Sequence, residues 1–66
     1  MRELSRESEE VTIVASLQEL RLLLGTLNEA LNGAFAIPDE DWDDLIGQPT
    51  GRASELADRL AEILER

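Results

Sequence analysis

The sequence contains no cysteine, histidine, lysine or tyrosine, and each absence excludes a class of function. Without cysteine and histidine, the chain can form neither a disulfide framework nor the zinc sites that these residues build. The four absences together remove most of the nucleophiles and general bases on which enzymes depend. We therefore expect a non-enzymatic protein with no catalytic residues, no metal site and no cofactor.

Basic residues are also scarce, since six arginines face fifteen acidic residues and give a formal net charge of −9. Nucleic-acid-binding domains carry a basic surface, so we expect no direct nucleic-acid binding. No apolar run approaches the ~20 residues that a membrane-spanning helix needs, and the charged start, Met1-Arg2-Glu3, does not resemble a secretory signal. These features and the lack of cysteine predict a cytoplasmic protein with no membrane partner.

The residues that are abundant favour helices. Hydrophobic residues make up 42% of the 66 positions, twelve of them are leucine, and Phe35 and Trp42 are the two aromatic residues. Leucine- and alanine-rich segments with few β-branched residues are typical of α-helices. A chain of this length without disulfides or metals buries little core by itself, and self-association commonly supplies more. We therefore expect a homodimer.

The first 15 residues divide into a charged part and an apolar part. Residues 1–10 carry four glutamates and two arginines with one leucine, and we interpret them as a mobile charged tail preceding a single domain over 11–66. The β-branched residues of 11–15 predict a very short strand. Residues 34–37 form a second short apolar segment that can pair with it, either within the chain by a crossover or with a symmetry-related copy.

A first helix is predicted from Leu17 to about Asn32. Ser16 and Glu19 have the spacing of a capping box, and Asn32-Gly33 is a typical helix end, with Gly33 expected in the left-handed conformation. Gly25 lies inside this helix and either permits a close helix crossing or is neutral. Leucines spaced alternately by three and four residues form one stripe, which we predict to be the dimer interface. They are Leu17, Leu20, Leu24, Leu27 and Leu31.

Two further helices are predicted after Pro38. A short one begins near Asp39 and ends at Gly47, and a longer one runs from Thr50 or Arg52 to the C-terminus with one apolar stripe. The fold class is therefore mainly α: a three-helix small domain, with one or two very short strands in 11–15 and 34–37.

Five of the six residues from 39 to 44 are carboxylates, and this acidic segment is the sharpest local feature. The D-x-D-x-D spacing resembles the start of an EF-hand loop, but positions six and twelve are Asp44 and Thr50 instead of glycine and glutamate, so no calcium site is predicted. Two interpretations stay open: capping of the short helix around a buried Trp42, or recognition of a basic partner. The partner-binding candidates are Asp39, Glu40, Asp41, Trp42, Asp43 and Asp44.

Two strings of the sequence resemble short bacterial proteins of unknown function. The first is E-L-R-x-L-x-x-x-L-N-E-x-L-N-G over 19–33, and the second is I-P-x-x-D-W-x-x-L-I-G over 37–47. The resemblance covers about half of the chain and rests on residues that form and end helices. It implies a bacterial source and no particular activity.

The sequence therefore predicts a small acidic protein-interaction module. Binding of a basic partner, as an immunity protein or antitoxin would do, accounts for the acidic segment. The alternative is a purely structural subunit of an oligomeric assembly that uses apolar surface without charge recognition.

Overall fold

The computed structural model describes all 66 residues and shows three helices and a two-stranded antiparallel sheet. The predicted fold class, a mainly α domain with short strands, is confirmed. The elements follow one another as strands β1 (Arg2–Arg6) and β2 (Val11–Val14), helix α1 (Leu17–Asn32), a 3-10 turn (Asp39–Asp41), and helices α2 (Trp42–Ile46) and α3 (Thr50–Leu64).

The first ten residues are not a featureless tail, because β1 pairs with β2 as a hairpin. The register joins Arg2 to Val14 and Arg6 to Val11, with an irregularity between Glu3 and Ser5. The reason lies in loop-closure entropy. The four residues 7–10 close this pairing, whereas pairing with residues 34–37 needs a crossover around a whole helix. The predicted strand over 11–15 is confirmed as Val11–Val14.

Residues 34–37 do not form the predicted second strand. The backbone N–H of Ala36 donates to the carbonyl of Gly33 at 3.1 Å, and that of Ile37 donates to the carbonyl of Ala30 at 2.9 Å. These local bonds fold the connector back onto the end of α1. Its backbone groups are thereby satisfied without a sheet partner.

The predicted capping box opens α1. The Ser16 hydroxyl accepts from the Glu19 N–H at 3.0 Å, and the Ser16 N–H donates to the Glu19 carboxylate at 2.8 Å. The other oxygen of that carboxylate lies 2.6 Å from the amino group of Met1. One side chain therefore caps the helix and ties it to the start of β1.

Two glycines end helices by different geometries. Gly47 follows α2 with a φ of 83°, in the left-handed region that glycine tolerates best, as predicted. Gly33 follows α1 in an extended conformation, with φ −75° and ψ 178°, so the left-handed conformation predicted for it is wrong. Its need for glycine comes from a close approach, because an added Cβ would lie 2.6 Å from the carbonyl oxygen of Glu29.

Helix α1 packs against α3, and this contact is the main tertiary one among the helices. The core is very small: Trp42, Ala53 and Ala57 are the three buried residues. The small side chains of Ala53 and Ala57 lie on one face of α3 and permit close packing there. Because the molecule measures only 16 Å along its shortest axis, almost every other side chain reaches the surface.

Candidate interaction surface

The acidic segment lies on the surface between the end of α1 and the start of α3. All five of its carboxylate residues are exposed, and none pairs with an arginine. Their one side-chain hydrogen bond joins Asp39, which accepts, to the hydroxyl of Thr50 at 3.4 Å. The segment therefore presents five negative charges that no basic group of the chain neutralises.

None of these carboxylates makes a side-chain capping bond, although all five lie in the first turn of a helical element. The 3-10 turn begins after Pro38 and α2 begins after Asp41, and neither start has a side-chain capping bond. Asp43 and Asp44 occupy the first turn of α2, where the helix dipole favours negative charge, but α2 has only five residues. No three carboxylates are arranged to hold a metal ion.

Trp42 belongs to the core, although it lies in the middle of the acidic sequence. Its side chain is 2% exposed, and its indole Nε1 donates to the carbonyl oxygen of Ile37 at 2.9 Å. Little of its side chain is open to a partner in the single chain, and the expectation that Trp42 contacts a partner directly stays a prediction. Its role is to hold the acidic segment against the helices.

Trp42 forms the floor of an apolar groove of about 180 Å³ beside the acidic segment. Its other lining residues are four apolar and two polar ones: Leu27, Ile46, Ala53, Leu56, Gln48 and Arg52. Its volume is below the range of about 300–1,000 Å³ that is typical of small-molecule sites. The groove can take an apolar side chain of a partner, and Leu45, 67% exposed, extends the apolar surface next to Asp44.

The leucine stripe predicted as a dimer interface is mostly used within the chain. Four of its members, Leu20, Leu24, Leu27 and Leu31, are partly buried in a helix that packs against α3. Only Leu17 of this set is exposed, at 56%. The stripe thus faces α3 within the single chain, and its role as a dimer interface stays a prediction. Gly25 does not mark a helix crossing, because no atom lies within 4 Å of a Cβ built there.

The exposed apolar surface is the feature that sequence patterns did not locate. Large apolar side chains are exposed on the hairpin, on the outer side of α1 and in the connector, where Phe35 is 97% exposed. The β-branched composition of residues 11–14 indicates an apolar strand. Which edge of that strand is unpaired follows only from the pairing of β2 with β1. No helix combines the length and the apolar character needed to cross a membrane.

Comparisons of the chain with protein families, with curated proteins and with solved structures find no match.

Proposed function

We propose that this protein is a small, non-enzymatic, acidic protein-interaction module that binds a basic partner through the acidic segment. The observation that carries the proposal is the exposure of all five carboxylates without an arginine partner. Charges left free in this way attract a basic partner over a distance and speed its encounter. The missing catalytic residue types support a non-enzymatic role, and the lack of cysteine accords with the cytoplasm.

The groove beside the acidic segment supports binding of a folded partner rather than diffuse attraction of any cation. Interfaces combine an apolar centre with a polar rim. Here Ile46 and Leu56 offer apolar contact, and Asp43 and Asp44 precede Ile46 in the short helix α2. The proposed partner therefore presents arginine or lysine around an apolar side chain, which is the arrangement that an immunity protein or antitoxin would neutralise.

The test is capture of partners from lysate of the source cells by three forms of the full chain. The first is the native chain, and the second carries Asp41→Asn, Asp43→Asn and Asp44→Asn. The third is a matched control that loses two exposed carboxylates of α3 and the one directly after it, through Glu55→Gln, Asp58→Asn and Glu65→Gln. We expect the native chain and the control to retain a basic protein, identified by mass spectrometry, that the second form loses.

Salt supplies an independent criterion, because charge-led binding weakens as ionic strength rises. Capture at about 0.05 M salt should fall steeply at about 0.5 M, where screening between exposed charges is strong. A partner retained equally by all three forms and at both salt concentrations would contradict the proposal.

Such an outcome would favour a second candidate function, a structural subunit of an oligomeric assembly. The exposed apolar side chains are the observation behind this alternative. It predicts binding that survives high salt and that is sensitive to substitution of apolar residues.

A further inference from the structure

The molecule exposes more surface than a compact chain of its mass. Its accessible surface is 5503 Å², whereas surface scaling gives about 4,200 Å² for 7.4 kDa. Its radius of gyration is 13.2 Å, against about 10.8 Å for a globule of this length. The excess of about 1,300 Å² per chain is enough for an obligate homodimer interface, which buries roughly 2,000 Å² or more in total.

The hairpin is the element with the least support from the rest of the chain. All nine residues of its strands are exposed, and each strand has one unpaired edge. A two-stranded hairpin is at best marginally stable in water, and it needs further strands or a packed helix. A second copy of the hairpin would supply the missing strands.

The two edges of the hairpin differ in how open they are to pairing. Strand β1 carries Arg2, Glu3 and Arg6 and contains the register irregularity, features that discourage edge pairing. Strand β2 reads Val-Thr-Ile-Val, without charge or irregularity, and this composition favours pairing. Strand β2 has no hydrogen-bonded neighbour other than β1.

We propose that two copies of this chain pair antiparallel along the outer edges of β2 and form one four-stranded sheet. A two-fold axis perpendicular to the sheet keeps each side chain on its own face, and opposite residues of two strands share a face, so in every allowed register one residue stands opposite its own copy. The register with Thr12 opposite Thr12 of the second copy places Val11 opposite Ile13 twice. It thus makes two apolar cross-strand pairs and one threonine pair.

Charge favours the same arrangement. The strand residues 2–6 and 11–14 carry a net charge of +1 in a chain of −9, so repulsion between copies is smallest there. Antiparallel pairing sends the acidic turn, residues 7–10, of each copy to opposite ends of the sheet. In the Thr12 register the two Glu10 residues stand about 14 Å apart along the strands, which exceeds the Debye length of about 8 Å at physiological salt.

Cysteine cross-linking tests this pairing directly, because the native chain has no cysteine. Thr12→Cys places two thiols opposite each other, whereas Thr26→Cys places an equally exposed thiol on α1, outside the proposed sheet. After mild oxidation at low micromolar concentration, we expect Thr12→Cys to become mostly disulfide-linked dimer and Thr26→Cys to remain mostly monomer on a non-reducing gel. Equal cross-linking of the two variants, or none in Thr12→Cys, would overturn the proposal.

Sedimentation equilibrium gives the second readout. The native chain should sediment as a dimer, and Ile13→Lys should raise the dissociation constant at least tenfold, since each dimer desolvates the new charged group twice. Leu22→Lys, which makes the same charge change at an exposed position on α1, should leave the constant within threefold. A native monomer at 100 µM, or a dimer that Leu22→Lys weakens as much as Ile13→Lys, would refute the paired β2 edges. Neither experiment changes a residue of the acidic segment. A negative result would therefore overturn the pairing of β2 edges without overturning the proposed function.

Discussion

The indole Nε1 of Trp42 donates a hydrogen bond to the carbonyl oxygen of Ile37 at 2.9 Å, and this bond joins the start of α2 to the connector after α1. The same connector is held to α1 by the bond from the Ile37 N–H to the Ala30 carbonyl. One residue thus links two helices through both of its backbone groups. Because the rest of the core consists of two alanines, the tryptophan supplies most of the buried side-chain volume.

Replacing this tryptophan should separate the two parts of its role. Trp42→Phe keeps an aromatic ring but leaves the Ile37 carbonyl without its partner, which should lower the free energy of unfolding by about 1–3 kcal/mol. Trp42→Ala should cost about 3–5 kcal/mol and leave the chain largely unfolded. Urea titration followed by far-UV circular dichroism measures both, at one protein concentration because self-association couples to stability. An unchanged midpoint for Trp42→Phe would show that the hydrogen bond contributes nothing.

Glu19 should make stability depend on pH at acidic values. Its pKa lies below the ordinary value of 4.5, chiefly because its carboxylate accepts from the amino group of Met1 and, next, from the backbone N–H of Ser16. A depressed folded-state pKa means that this contribution is present above 4.5 and is lost as the pH falls through the lowered pKa. The melting temperature of Glu19→Gln should therefore lie below that of the native chain at about pH 7, and the difference should shrink towards about pH 3.

The control for that experiment is Glu29→Gln. The Glu29 carboxylate lies later in the same helix and makes no ion pair. Its melting temperature should follow that of the native chain at both pH values. A difference between Glu19→Gln and the native chain that persists unchanged at low pH would point to packing rather than charge.

Gly25 within α1 and Gly33 directly after it should respond oppositely to the same substitution. Gly25 lies in the middle of α1, is exposed to solvent, and has no atom within 4 Å of an added Cβ. Because alanine favours the helical conformation more than glycine does, Gly25→Ala should stabilise the chain by up to about 1 kcal/mol. Gly33→Ala would place its Cβ 2.6 Å from the Glu29 carbonyl oxygen, and the forced backbone shift should cost about 1–3 kcal/mol. Urea unfolding of both variants checks the signs, and stabilisation by Gly33→Ala would contradict the structure.

The helices were predictable because their signals are local. The capping box at Ser16 and Glu19, the leucine spacing of α1 and Gly47 after α2 all act within a few residues, and each predicts its feature without knowledge of the fold. The role of the leucine stripe was not predictable in the same way, because periodicity identifies an apolar face but not what covers it. In this chain α3 covers that face.

The hairpin and the connector show where local reasoning ends. Residues 2–6 have the composition of a solvated tail, but they form a strand because only four residues separate them from β2. Residues 34–37 have the composition of a strand, yet the carbonyls of Ala30 and Gly33 at the end of α1 capture their N–H groups. In both cases the nearest available hydrogen-bond partner decided the outcome, and composition did not.

Phe35 provides the contrast to Trp42, since the second aromatic residue of the chain is 97% exposed. Phe35→Ser should leave the free energy of unfolding within about 0.5 kcal/mol of the native value, because a fully exposed side chain has no packing to lose. It should also leave the dimer intact, since Phe35 lies outside both strands of the hairpin. Urea titration and sedimentation equilibrium on the same sample measure the two quantities. If Phe35→Ser instead dissociates the dimer, the connector is the true contact between copies, and the pairing of β2 edges is wrong.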